Sequence, residues 1–190
     1  MVNGLLTYLH KQEYWLEDSL KVIDDAQPEL TRNEYLRLLS TARMLHYEKE
    51  YLLIKLFATT GVVVQEIYKV TVEAVKEGRM TIKSNGVSRM VYLPGFLQAE
   101  LLEYANKQNI TSGPLFFGAC GKPIDRTVIS RSLRKLSHDA HVGEEKCNPR
   151  CLQKLYQHTM TEIEDRVRLL VEQNHLRLLE QEQLSIGWKE

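Results

Sequence analysis

Thr59-Thr60-Gly61-Val62-Val63-Val64-Gln65-Glu66 is the stretch on which the reading of this chain turns. An apolar run, Tyr51-Leu-Leu-Ile-Lys-Leu-Phe-Ala58, leads into it, and a further apolar turn, Ile67-Tyr68, follows it. The upstream run has the apolar density of a helix over about 47–58, and residues 64–69 predict a second, short helical piece. Helix, Thr-Gly, three valines, Gln-Glu and a short helix is therefore the local layout.

Working outward toward the N-terminus, Thr31 followed by Glu34 forms a capping box at a helix start. Tyr35, Leu38, Leu39 and Ala42 then repeat at helical spacing. Residues 2–10 have the pattern of the end of an amphipathic helix, and Asp24-Asp-Ala-Gln-Pro28 has the composition of a linker. Toward the C-terminus the period becomes strand-like, with Val70-Thr-Val-Glu-Ala-Val75 leading to Met80-Thr-Ile-Lys83 and Ser88-Arg-Met-Val-Tyr-Leu93. Asn85-Gly86 between the last two runs is a strong hairpin signal, and Pro94 closes the second strand. A helix is predicted over Phe96–Asn106, with Leu97, Leu101, Leu102 and Ala105 on one face. Ser112-Gly-Pro-Leu-Phe-Phe117 reads as an extended piece, and residues 118–123 as a turn. Thr127 is a candidate cap for a helix reaching Leu136. Asn148 followed by Pro149 supplies an N-cap and a proline at the first helical position. Residues 149–184 read as helix. The sum is an α+β domain, mostly helical, with a small antiparallel β-sheet.

At 190 residues, 43% hydrophobic and 26% charged, the chain has the length and composition of one soluble globular domain with a core of its own. No run approaches a membrane span, and the N-terminus lacks the pattern of a secretory signal. Three cysteines, Cys120, Cys147 and Cys151, make no disulfide framework and fit a reducing compartment, so a cytoplasmic location is expected. The 25 basic and 25 acidic side chains balance overall, but not locally. Residues 51–155 carry an excess of lysine and arginine, while both ends are acidic. A basic middle segment fits a modest nucleic-acid face.

The order of these features resembles the tyrosine recombinases, the phage-integrase family, over roughly residues 30–155. Thr60-Gly61-Val62-Val63-Val64-Gln65-Glu66 resembles the family's first signature box, in which an arginine holds the scissile phosphate; that arginine falls on Val63. The hairpin ending Arg89-Met-Val-Tyr-Leu-Pro94, Gly113-Pro-Leu-Phe116 with Gly121-Lys-Pro123, and Ala140-His-Val-Gly143 follow in family order. The second box falls on Pro149-Arg150-Cys151-Leu152-Gln153-Lys154. By this resemblance the family's first histidine is replaced by Arg150, its second arginine by Gln153 and its second histidine by Lys154. The hairpin lysine that serves as general acid falls on Lys83 or Asn85.

The resemblance implies a tyrosine that attacks a DNA phosphate, and arginine and histidine side chains that stabilise the transferring charge. A guanidinium offers a fixed fork of donors to phosphate, whereas the isopropyl group of Val63 offers none. No tyrosine follows Tyr156, which sits three residues beyond Gln153 and reads as a helix or core residue. The expectation is a degenerate recombinase of a mobile element, with no catalytic residues, that binds double-stranded DNA without cutting it. Lys83, Arg89, Arg131, Arg134, Arg150 and Lys154 are its candidate DNA contacts. The alternative is a protein-interaction module on the same fold that no longer touches DNA. The resemblance also makes residues 1–28 a remnant of the preceding DNA-clamping domain plus a linker, and residues 29–190 the catalytic-like domain with a helical tail.

No cofactor and no metal are expected. Cys147, Cys151 and His158, with His138 or His141, contain zinc-ligand residue types but lack the paired Cys-x2-Cys spacing of structural sites. Ile163, Val167, Leu170, Val171, Leu176, Leu179 and Leu184 give the tail an apolar stripe. Either it packs on its own domain or it docks on a second subunit, a copy of this chain or an intact recombinase.

Overall fold

The computed structural model describes residues 28–84, 87–118 and 124–187, with Ser84 and Val87 described in backbone only. The expected N-terminal remnant and most of the 118–123 turn lie outside these residues.

Helix α1, Arg32–Met44, starts where the capping box places it. The Glu34 carboxylate accepts from the Thr31 N–H at 2.8 Å, and Thr31 Oγ1 accepts from the Glu34 N–H at 3.3 Å. Its buried side chains, Tyr35, Leu38 and Ala42, form one face. Helix α2, Glu48–Thr60, buries Leu52, Leu53, Ile54, Leu56, Phe57 and Thr60. Apolar residues on nearly every side make it the central helix of the core. It stops at Gly61, whose φ of +63° is the left-handed conformation that glycine supplies at a helix end.

A 3-10 turn, Val64–Lys69, follows. The strand-like run after it is not a strand: Val72–Glu77 is a short helix, α3, capped by Thr71 Oγ1, which accepts from the Ala74 N–H, and ended by Gly78 at φ +70°. Val72 and Val75, three apart, are its buried side chains. Strands β1, Arg79–Ser84, and β2, Val87–Tyr92, pair antiparallel from Arg79↔Tyr92 to Ser84↔Val87. That register leaves only Asn85-Gly86 to connect them, although these two residues lie outside those described.

Helix α4, Gly95–Lys107, buries Leu97, Leu101 and Ala105. It is tied to α2 by Lys55, whose ammonium donates to both Glu100 oxygens at 2.6 and 2.7 Å and lies 5.0 Å from the ring centres of Tyr51 and Phe96. Burial works against that charge, but the Glu100 carboxylate and Tyr51 outweigh it and raise the Lys55 pKa above its ordinary value. Helix α5, Arg126–Asp139, begins with Asp125 at the cap position, two residues before the Thr127 start read from sequence. Helix α6, Pro149–Ile186, begins as expected: Asn148 Oδ1 accepts from the Arg150 and Cys151 N–H groups at 3.0 Å each. Among the described residues no helix is long and apolar enough to cross a membrane.

Glu34 does more than cap. It accepts from Lys146 at 2.9 Å, joining the start of α1 to the segment just before α6. The Lys146 ammonium, with the Thr31 N–H and hydroxyl, holds its pKa down to about 2 against the opposing effect of burial. A depressed carboxylate stabilises the fold above its unfolded pKa of about 4.3 and loses that contribution as pH falls toward the folded value. The loss therefore falls between about pH 4.5 and pH 2. Urea titrations across that window are expected to show a stability drop on the order of 1 kcal/mol that is absent in Glu34→Gln. An equal drop in the variant would assign it to other groups.

Candidate nucleic-acid interface

The turn after α2 and the first turns of α5 and α6 meet around one open cavity of about 510 Å³. Val63, Val64 and Gln65 form one wall, Arg126, Ser130 and Arg134 of α5 a second, and Arg150 and Gln153 of α6 a third. Glu144 and Glu145, on the 3-10 turn Glu144–Lys146, complete the rim. Residues far apart in sequence thus reach one site because α2 ends, and α6 begins, beside it.

The backbone at Val63 is held by Glu66, whose Oε2 accepts from the Val63 N–H at 3.0 Å and pairs with Arg89 of β2 at 2.5 Å. Arg134 Nε lies 3.3 Å from Glu144 Oε1. Three guanidinium-bearing side chains against two carboxylate-bearing ones leave the cavity with a small positive excess. Among the described residues no tyrosine, histidine or lysine lines it. The arrangement can hold an anion through arginine forks, but the lining contains none of the side-chain types the recombinase reaction uses for attack or for lysine- or histidine-mediated proton transfer.

The sequence candidates distribute unevenly around this site. Val63, Arg134, Arg150 and Gln153 share the cavity. Lys154, one residue and about 100° further around α6 than Gln153, lines a separate cavity of about 550 Å³ with His158 and Arg166, and its ammonium lies 3.4 Å from Glu29. Arg131 is exposed on α5 but outside the cavity wall. Lys83 is exposed on β1, opposite Ser88, and Asn85 lies outside the described residues. Arg126 was missed by the sequence reading. Its signal was available: Arg126, Ser130 and Arg134 repeat every four residues, and a helix started at Asp125 puts them on one face.

Tyr156 sits elsewhere, with its ring against Gly61. Cys147 and Cys151 are both buried. The Cys147 thiol donates to the Leu133 carbonyl at 3.0 Å, and burial pushes its pKa up to about 12. A thiol this hard to ionise is a poor metal ligand. Among the described residues no three histidine, cysteine, aspartate or glutamate side chains gather as a metal site would require.

A scan against protein-family models gives no match, and a comparison with curated protein sequences gives none either. Solved structures do match. The crystal structure of XerA recombinase aligns at a TM-score of 0.58 and 21% identity, covering 68% of this chain and 47% of that one. XerH site-specific recombinase bound to its difH substrate, a pre-cleavage complex, aligns at 0.58 and 19%, covering 70% and 42%. The same recombinase on palindromic difH, after cleavage, aligns at 0.57 and 19%, covering 82% and 52%. The chain spans about half the length of these structures. Their agreement establishes a tyrosine-recombinase catalytic-domain-like fold, α+β and mostly helical, as the order of motifs implied.

Proposed function

We propose that this chain is a degenerate recombinase-like protein of a mobile element that binds double-stranded DNA in the cytoplasm without cutting it. Arg126, Arg134 and Arg150 are its phosphate contacts. The observation that carries this reading is the content of the cavity at the end of α2. Val63 and Gln153 line it where the family resemblance calls for arginines, while three other arginines surround the same space. Charge for gripping a phosphate is retained, and the groups that would break its ester bond are not in the cavity. The XerH structures are of a recombinase bound to its DNA substrate, which makes duplex DNA the natural ligand to try.

Fluorescence anisotropy of a labelled duplex at several salt concentrations tests this. Three phosphate contacts predict an affinity that falls with salt at a log–log slope of roughly −2 to −3. Arg150→Ala is expected to weaken binding about three- to tenfold at low salt and to flatten the slope by about 1. An unchanged slope in that variant would remove Arg150 from the interface. No binding even at low salt would sink the DNA reading. It would leave the second one, a protein-interaction module on a recombinase fold, which the exposed apolar faces of α6 support.

A further inference from the structure

The outer face of the β1–β2 pair has a chemistry that the cavity at the end of α2 does not use. Met80, Ile82 and Val91 are buried, so the alternate residues of both strands point outward. The register sets Arg79 beside Tyr92, Thr81 beside Met90 and Lys83 beside Ser88, and all six are exposed. Directly opposite residues stand with Cβ atoms about 4.5–5.5 Å apart, so the Tyr92 ring, 69% exposed, has the Arg79 side chain for its neighbour. Among the described residues none on this face carries a carboxylate.

Beside β1 a second cavity, of about 440 Å³, joins that face to the 3-10 turn after α2. Arg79 and Thr81 line it from the strand, Tyr68 and Lys69 from the turn, and Glu77 from α3. The Lys69 ammonium lies 5.0 Å from the centre of the Tyr68 ring, which is 47% exposed. A tyrosine ring with a cation at its side therefore occurs twice, and Arg79 belongs to both the face and the cavity. Against Lys69, Arg79 and Lys83, Glu77 is the one carboxylate of the cavity lining.

We infer that this surface binds single-stranded nucleic acid, at a site that shares no residue with the arginine-lined cavity. A strand repeats a flat base and a phosphate, and the surface repeats a ring and a cation. An exposed tyrosine stacks on any base, because every base has a π-face, and the cation beside it meets the phosphate. Thr81 and Ser88 add hydroxyl groups between the two strands of the face. Duplex DNA fits this surface less well: its bases are covered on both faces by their neighbours, which leaves the two rings nothing to stack on. An acidic peptide would use the cations and leave the rings unused.

Fluorescence anisotropy of the full chain with a labelled oligo-dT of about 12 nucleotides tests the site. Three phosphate contacts predict binding at low salt that weakens with a log–log slope of roughly −2. Tyr92→Ala is expected to weaken binding on the order of tenfold, while Tyr92→Phe, which keeps the ring, binds as the wild type does. An abasic oligomer of the same length keeps the phosphates and lacks the bases. It is expected to bind about tenfold more weakly and to be indifferent to Tyr92→Ala. No binding of oligo-dT at low salt would overturn the site. An abasic oligomer or an acidic peptide of equal charge that binds as tightly would overturn base stacking and leave a plain basic patch. Duplex titrations keep the two sites apart: Tyr92→Ala is expected to leave duplex affinity unchanged, and Arg150→Ala to leave oligo-dT affinity unchanged. Loss of both affinities in either variant would overturn a separate single-strand site, whereas failure of duplex binding alone leaves it standing.

Discussion

Gly61→Ala is expected to destabilise the domain by about 2–4 kcal/mol, measured as a fall in the urea midpoint at unchanged m-value. Two costs combine. The residue holds φ at +63°, where a side chain costs on the order of 1 kcal/mol relative to glycine. An added Cβ would also lie 2.5 Å from Cδ1 and Cε1 of Tyr156, closer than carbon atoms approach without something moving. Those ring atoms belong to a stiff group on α6, so relief requires a shift of the ring or of the helix. Overpacking of this kind costs about 1–3 kcal/mol. The two parts separate in a double-mutant cycle: in a Tyr156→Ala background Gly61→Ala should lose only the conformational part. A loss below about 0.5 kcal/mol in the wild-type background would mean that the ring does not rest on this glycine. The expected result also fixes the role of the last tyrosine in the sequence as a packing contact between α6 and the end of α2.

How much of this was legible in advance depended on whether local chemistry or tertiary packing decided each element. Thr31 with Glu34, and Asn148 before Pro149, mark helix starts by side-chain hydrogen bonds to nearby backbone, and both stand where the sequence put them. Val70–Val75 misled because four of its six residues are β-branched and Val70, Val72 and Ala74 alternate with Thr71 and Glu73 over a span too short to establish a period. The cap at Thr71 and the glycine at 78 were the better guides, and burial of Val72 and Val75 on one helical face confirms which pattern operates. The start of α5 was read two residues late, and that small slip left Arg126 outside the helix. Lys154 stands next to Gln153 in sequence yet borders another cavity, because one residue turns a helix by about 100°. The fate of the tail was open from sequence, since an apolar stripe looks the same whether it meets its own domain or another chain. Only the exposure of α6 beyond Thr161 decides it for the described domain.

The site was legible in position more than in content. The Thr-Gly box ends α2 at one edge of the cavity, and Asn148-Pro149 starts α6 at another, so the two boxes that the resemblance pairs do converge. Which side chains occupy the cavity is a property of this chain alone. Val63 and Val64 give the cavity an apolar wall, Gln65 and Gln153 give it neutral amides, and the arginines enter from α5 and from the first turn of α6. On the proposed reading, the cationic side chains stand on the walls that α5 and α6 supply rather than at Val63 and Gln153. A charge on the cavity wall adds affinity and salt dependence; a charge at the reacting centre is needed to stabilise the transition state.

Val63→Arg combined with Gln153→Arg is expected to tighten duplex binding by about ten- to a hundredfold and still to yield no covalent product. Each guanidinium placed in the cavity adds a charge-assisted contact to phosphate worth roughly 1.5–3 kcal/mol. Glu144 and Glu145, on the same rim, compete for the new cations and hold the gain below the full sum. Strand cleavage needs more than restored charge, because it begins with a phenolate attacking the phosphorus. Tyr156 is the last tyrosine of the chain and lies against Gly61, away from the cavity lining. A nicked suicide duplex, which traps any phosphotyrosyl link by losing its leaving strand, separates the two effects in one gel and one titration. Tighter binding with no slower-migrating protein–DNA band is the expected pair of results. A band that forms in the double variant and disappears with Tyr156→Phe would make that ring a nucleophile and would overturn the non-cleaving reading. Unchanged affinity would show instead that phosphate does not enter the cavity at the end of α2. Because the two readouts fail independently, phosphate contact and strand cleavage can be judged apart.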